Sequence, residues 1–358
     1  MKTMFRLKTI CVLAAFLLLR STAYGQLDNM GAFLASGVDD AQTLLLPYLT
    51  PAVNAFGAGL GSGWYNTAEP HKLGGFDITF SVNTGIIPKK YETYEIDNSS
   101  LNFLQLQDPT NTTAPTISGD NEYGPMLNYK LDGYTGEAFQ TMKGMNVNYV
   151  PMPMVQAGIG LIKGTEVMVR YLPNIQISDN EVGLWGLGIK HDIKQWIPGL
   201  KRVPVFNMSI MYGFTKLHTF IASNVTPDDI NAGSFEGADA STWENQEFQV
   251  ISQSQTGNLV VSANLPVVCF YGGAGFIRTK TNLRCVGDYP MVAMVEGVPV
   301  IQKLTDPIDM EFKNKEGGIT KPRLNAGVRF KLAILTIHFD YSWANYSVLS
   351  AGLGFSFR

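Results

Sequence analysis

The 358-residue chain carries a formal net charge of −3, so no basic excess points to nucleic acid as a partner. Charged residues make up 16% of it against 45% hydrophobic ones, with 36 Gly, 20 Phe and 15 Tyr, a balance suited to strands with one face in lipid and one in water. Beyond residue 25 no apolar run is long enough for a membrane-spanning helix, so a membrane protein of this sequence must cross as strands.

The chain opens as a secretory signal. Lys2, Arg6 and Lys8 give a positive start, Ile10 to Leu19 an apolar run, and Ala23-Tyr24-Gly25 small residues at the cleavage positions. The apolar run is well short of the ~20 residues of a spanning helix. Residues 1–25 are therefore expected to be removed, with Gln26 first in the mature chain. Cys11 leaves with the signal, and no Cys follows the cleavage site to carry a lipid.

From 39 to 56 the pattern predicts a helix opened by Asp39 or Asp40 and kinked or broken at Pro47 and Pro51. Leu44, Leu45, Leu46, Tyr48, Leu49, Val53 and Phe56 make it apolar on most sides. Gly57, Gly59, Gly61 and Gly63 follow, ending in Trp64-Tyr65. Such a segment needs an apolar place to lie.

After it comes alternation of period two, the mark of strands whose faces meet different solvents. Phe76, Ile78, Phe80 and Val82 alternate with Asp77, Thr79, Ser81 and Asn83. Phe206, Met208, Ile210, Tyr212 and Phe214 alternate with Asn207, Ser209, Gly213 and Thr215. Weaker strands fit 146–162, 165–177, 182–193, 245–263 and 267–285. The last three are the cleanest: 323–331, 335–343 with Phe339 and Trp343 on the apolar face, and 349–357. That makes ten, and strand-like stretches within 89–145 allow twelve or fourteen. Short gaps near 163–164, 194–203, 264–266 and 332–333 fall on one side, and the long gaps 89–145, 221–244 and 286–320 on the other, as in up-and-down barrels. A soluble sandwich also alternates, but its outward face would be rich in Lys and Glu; here the polar face is rich in Gly and Ser. The expected fold is thus all-β: a transmembrane antiparallel up-and-down barrel over 76–358, preceded by a helical, Gly-rich hatch over 26–75, in the outer membrane and in contact with its lipid.

Cys269 and Cys285 remain in the exported chain, where a disulfide is permitted; they either pair or stand as two buried thiols. His71, His191, His218 and His338 show no metal-ligand spacing, and no nucleophile elbow or Cys-x-x-Cys pair appears. Neither a metal, a cofactor nor catalysis is expected. The best polar cluster is His338 with Asp340, Arg329 and Arg323 on the predicted lumen face, read either as ligand contacts or as charges pairing across strands.

Gly186-Leu187-Gly188-Ile189-Lys190-His191-Asp192-Ile193 before Trp196-Ile197-Pro198-Gly199-Leu200 resembles the strand and turn of barrels related to the long-chain fatty acid transporter family. Tyr271-Gly272-Gly273-Ala274-Gly275-Phe276 and the closing Ala351 to Arg358 do the same, in the manner of a Bacteroidota branch of these barrels. The resemblance implies that Val38 to Trp64 is a hatch in the lumen, that hydrophobic molecules are carried inward, and that Phe357 is the assembly signal. The chain departs from it in lacking the hatch's Asn-Pro-Ala motif and in mapping to ten strands rather than fourteen. Leu45, Leu49, Val53 and Phe56 are then the hatch residues that would hold an amphipathic small molecule. The other function open to such a barrel is anchoring or assisting a surface or secretion complex.

Overall fold

The computed structural model describes residues 38–130, 139–177, 180–227, 236–237, 243–295, 298–313 and 321–357. The expected signal segment and residues 26–37 lie outside them. Ten strands form the barrel: β1 (Phe76–Ile86), β2 (Tyr149–Gly160), β3 (Thr165–Ile177), β4 (Asn180–Asp192), β5 (Phe206–Ala222), β6 (Glu247–Asn264), β7 (Val268–Val286), β8 (Lys321–Leu332), β9 (Leu335–Trp343) and β10 (Ser347–Phe357). Each pairs antiparallel with the next, and β1 pairs with β10 from Phe76↔Phe357 to Ile86↔Ser347, which closes the ring. These are the ten strands that the alternation marked. The ring therefore closes with ten rather than fourteen.

Within 89–145 the strand-like stretches Tyr91 to Gln107 and Ile117 to Leu131 hold the short strands Thr93–Glu95, Leu104–Leu106 and Met126–Tyr129, and Thr113–Pro115 and Phe139–Gln140 form outside them. They pair among themselves and not with the barrel. Two to four residues at ~3.3 Å each cannot cross an apolar band ~25 Å tall. A further hairpin, Asp288–Val295 with Val298–Thr305, stands beyond β7, and Ile308–Lys313 pairs with the outer half of β7. All of these belong to the end of the barrel that carries the long connections.

The barrel wall is inverted relative to a soluble protein. Phe80, Leu187, Ile210, Phe339, Leu349 and Leu353 point outward and stay exposed, while Ser81, Arg170, Ser209, Thr256, His338 and Ser350 are buried inside. Apolar area left facing water on this scale is unfavourable at ~25 cal/mol per Å², so the outer face needs lipid. Aromatic side chains flank the belt, with Tyr171, Trp185 and Trp343 toward the loop end and the stacked pair Phe76–Phe357 at the turn end. No helix among the described residues is long and apolar enough to cross a membrane.

Helix α1 (Val38–Leu60) runs unbroken through Pro47 and Pro51, so of the expected kink or break the break does not occur. An interior proline costs ~3 kcal/mol, but buried tertiary packing outweighs it. Ala41, Leu44, Leu45 and Tyr48 share one apolar cluster with Ile96, Leu104, Leu127, Phe248, Tyr289 and Ile308 of the loop-end cap. At the first turn, the Asp40 carboxylate accepts three backbone N–H bonds from Asn102, Phe103 and Leu104 at 2.7, 2.8 and 2.7 Å. The helix thus starts among the long loops and descends along β1. It does not seal the turn-end mouth.

Cys269 and Cys285 are both free and buried. They lie near opposite ends of the same strand, β7. Sixteen residues at ~3.3 Å put them about 50 Å apart, far beyond the ~7 Å limit of a disulfide. The pairing left open above is excluded.

Candidate functional site

The descending helix reaches the barrel wall where small residues leave room. Gly85 of β1 abuts the backbone carbonyl of Ala55, and an added Cβ on Gly59 would lie 3.0 Å from the Asn83 carbonyl. The helix then ends at Leu60 with no basic residue in its last turn. Its final carbonyls need donors, and the negative end of its dipole favours cations.

The wall supplies both. Arg170 of β3, fully buried, donates from Nη1 to Leu60 O at 3.0 Å, from Nη2 to Ser62 O at 2.6 Å and from Nε to Gln156 Oε1 at 3.0 Å. Arg323 of β8 donates from Nη1 to Gly61 O at 3.3 Å and from Nη2 to Ser342 Oγ at 2.7 Å. Asn83 of β1 adds Nδ2 to Ser62 O at 3.1 Å. Three strands thereby hold the helix terminus by its backbone.

Below the clamp, Trp64 lies flat in the lumen with the Arg170 guanidinium 3.8 Å above its ring centroid. Its seat is made by two glycines. A Cβ on Gly188 would come within 2.7 Å of the indole and one on Gly213 within 2.5 Å. Tyr65 donates to Asn325 Oδ1 at 2.6 Å and meets Tyr271 edge to face, while Tyr271 donates to Asp340 Oδ2 at 3.2 Å. Gln156 Nε2 holds Trp64 O at 3.1 Å, and Ser209 Oγ donates to Ala68 O. The run Gly57 to Tyr65 is thus bonded to opposite walls at once.

Toward the turn end the segment passes a charged group. Lys190 pairs with Glu166 at 3.2 Å, His71 Nε2 lies 3.1 Å from Asp77 Oδ1, and the His71 amide donates to Glu166 Oε2 at 2.9 Å. Ligand atoms of His71, Asp77 and Glu166 lie within 4.8 Å of one another, a spacing open to a metal ion. Each is already engaged, and the Lys190 ammonium stands where it would repel a cation. The adjoining polar cavity, of about 20 Å³ and lined by Trp64, Tyr65, His71, Lys190 and Arg329, has room for one water.

The residues singled out from sequence divide between two places. Leu45 is buried in the cap cluster, with Leu49 and Val53 packed against it; Phe56 packs beside Leu60, Met152 and Leu184 inside the barrel. Arg323, His338 and Asp340 are buried on the lumen face, and Arg329 lines the small cavity. The cross-strand ion pairs expected among them do not form, since among the described residues no charged pair within 4.0 Å joins them. Arg329 instead sits opposite His338 in register, and Arg323 is spent on the helix terminus. Arg170, Glu166, Lys190 and the role of Trp64 escaped the sequence reading. The available signal was phase: Glu166, Met168 and Arg170 fall between the outward Val167, Val169 and Tyr171, which puts two charges on a lumen face.

Comparison with solved structures finds likenesses to several outer-membrane barrels. Ail, the attachment invasion locus protein of Yersinia pestis, is 11% identical with a TM-score of 0.26, over 80% of this chain and 98% of that one. The translocator domain of the autotransporter NalP from Neisseria meningitidis is 11% identical with a TM-score of 0.30, over 86% and 93%. The P. putida toluene transporter TodX is 7% identical with a TM-score of 0.24, over 89% and 94%. Comparison with curated proteins finds no match. Residues 1–357 match the family described as a family of unknown function, DUF6588, and the chain belongs to that family.

Proposed function

We propose that this protein is an outer-membrane barrel shut by its own N-terminal segment, serving as the anchor of a folded platform of loops within a surface or secretion assembly. The signal segment 1–25 delivers it, and the inverted wall sits in outer-membrane lipid. The observation that carries the anchoring role is that one helix serves two structures. Leu44, Leu45 and Tyr48 are part of the cap's core, and the far end of the same helix is clamped by Arg170 and Arg323. Withdrawing it as a gate would expose three large side chains at ~1.5–3 kcal/mol each, in addition to breaking the clamp. A hatch meant to move would be joined to fewer parts.

Uptake of a hydrophobic or amphipathic small molecule is the second reading. It is supported by the partly buried Leu49, Val53 and Phe56, apolar side chains along the helix at the barrel mouth. Leu45, Leu49, Val53 and Phe56 would hold such a molecule once the cap opened. The two readings separate on protein purified in mild detergent. An anchor yields no stoichiometric co-purifying small molecule on extraction and mass spectrometry, and captures a defined protein partner after cross-linking on whole cells. A bound amphiphile without such a partner favours uptake and defeats the anchoring role.

A further inference from the structure

We propose that the mature N-terminal end of this chain lies outside the cell, because the polypeptide runs through the barrel from the loop end to the turn end before β1 begins. The proposal rests on the outer-membrane reading, in which the long loops face outward. Three contacts give the direction of travel. Ala55 lies against Gly85, Ser62 against Asn83 and His71 against Asp77, so the segment descends as β1 rises. Above them, Asp40 is bonded to the backbone of 102–104, in the connection between the outer ends of β1 and β2. The described chain therefore begins, at Val38, at the loop end.

A return path through the barrel is closed. At the level of Trp64 the ring rests on Gly188 and Gly213 at one wall, while at the other Tyr65 donates to Asn325 and Arg323 donates to the Gly61 carbonyl. Nor is the remaining chain long enough. With Gln26 as first residue, the stretch 26–37 spans at most ~43 Å. A helix of 23 residues is itself ~34 Å long, and the leg from Ser62 to His71 adds a further ~20 Å, the rise of the six strand residues from Asp77 to Asn83 that it passes. The ring, closed by the pairing of β1 with β10, thus surrounds a chain that enters it from the loop end. Any segment joined ahead of Val38 would be displayed at the surface. The barrel thus exports its own N-terminal end.

Thiol labelling on intact cells tests this. The two cysteines of the mature chain are buried, which keeps the background low. Asp39→Cys reports on the helix start, Asp108→Cys on the loop end and Lys201→Cys on the turn end, all three at exposed positions. With a membrane-impermeant maleimide, Asp39→Cys and Asp108→Cys are expected to label equally before and after outer-membrane permeabilisation, and Lys201→Cys only after it. Labelling of Asp108→Cys on intact cells with Asp39→Cys requiring permeabilisation overturns the proposal and leaves the outer-membrane reading standing. The reverse assignment of Asp108→Cys and Lys201→Cys overturns that reading and the proposal with it. A protease-cleavable peptide inserted ahead of Val38 gives a second measurement: external protease should remove it without cutting the barrel, and its survival on intact cells contradicts the proposal.

Discussion

Replacing Arg170 by Leu removes the central member of the clamp while keeping a side chain of comparable bulk. Three donor bonds are lost, to Leu60 O, Ser62 O and Gln156 Oε1, together with the guanidinium stacked on Trp64. Bonds from a charged donor are worth ~1.5–3 kcal/mol each, but they are not additive, and removal of the buried charge recovers part of its desolvation penalty. Leaving the buried Leu60 and Ser62 carbonyls without their Arg170 donor costs ~1–3 kcal/mol each, so a loss of hold on the segment of ~2–6 kcal/mol is expected. At ~1.4 kcal/mol per factor of ten, the detached population rises by about one to four orders of magnitude. Hydrogen exchange of backbone amides in 57–68, read by mass spectrometry on detergent-solubilised barrel, reports this population directly. Exchange in Arg170→Leu should accelerate correspondingly in that stretch, with the strands unchanged. Arg170→Lys should fall between, since an ammonium lacks the fork that reaches two carbonyls. A folded Arg170→Leu barrel with wild-type exchange in 57–68 would refute the clamp.

Gly213→Val drives a side chain into the Trp64 ring and should lower the temperature at which the folded gel form converts to the unfolded one, by an overpacking cost of ~1–3 kcal/mol; adding Trp64→Ala should recover part of that loss. Phe339→Arg and Leu353→Arg, about half exposed on the lipid face, should block assembly at a cost of ~2–4 kcal/mol near the midplane, checked by the yield of heat-modifiable protein in the membrane fraction. Ser342→Arg lies on the opposite face but is 1% exposed and bonded to Arg323, so it should reduce stability through like-charge repulsion while still assembling. Asp40→Ala leaves three loop N–H groups without their acceptor and should make the connection 87–148 sensitive to external protease, the barrel core remaining intact.

The barrel was legible because lipid outside and polar contents inside impose a strict period of two on every strand. The strand ends were less so. β5 continues to Ala222, past the clean alternation, because His218, Phe220 and Ile221 lie where the wall rises into the cap and its outer face no longer meets a single solvent. The glycines of the polar face were visible as composition, but their reason was not: Gly188 and Gly213 clear space for one indole 120 or more residues away in sequence. Pro47 and Pro51 misled in the opposite direction, since local propensity predicts a break and burial among the loops overrides it. Asp40, expected as a helix starter, turned out to bind the backbone of a distant loop. Arg323 was picked out as a lumen charge, yet its partner is a main-chain carbonyl, and carbonyls leave no trace in a sequence. The direction of the N-terminal segment is a long-range property that alternation does not encode.

The central claim is that Val38–Leu60 lies inside the barrel mouth against its wall, and a cross-link tests it most directly. An added Cβ on Gly57 would stand 2.9 Å from Thr279 Cβ of β7, close to the ~3.5–4.5 Å of a disulfide after a small shift. Gly57→Cys with Thr279→Cys, in a background with Cys269 and Cys285 replaced by Ala, should oxidise within the assembled protein. After full denaturation it should run faster on a non-reducing gel and lose the shift on reduction. A heat-modifiable, folded barrel in which both thiols stay reduced and freely alkylated would place the helix elsewhere and contradict the account.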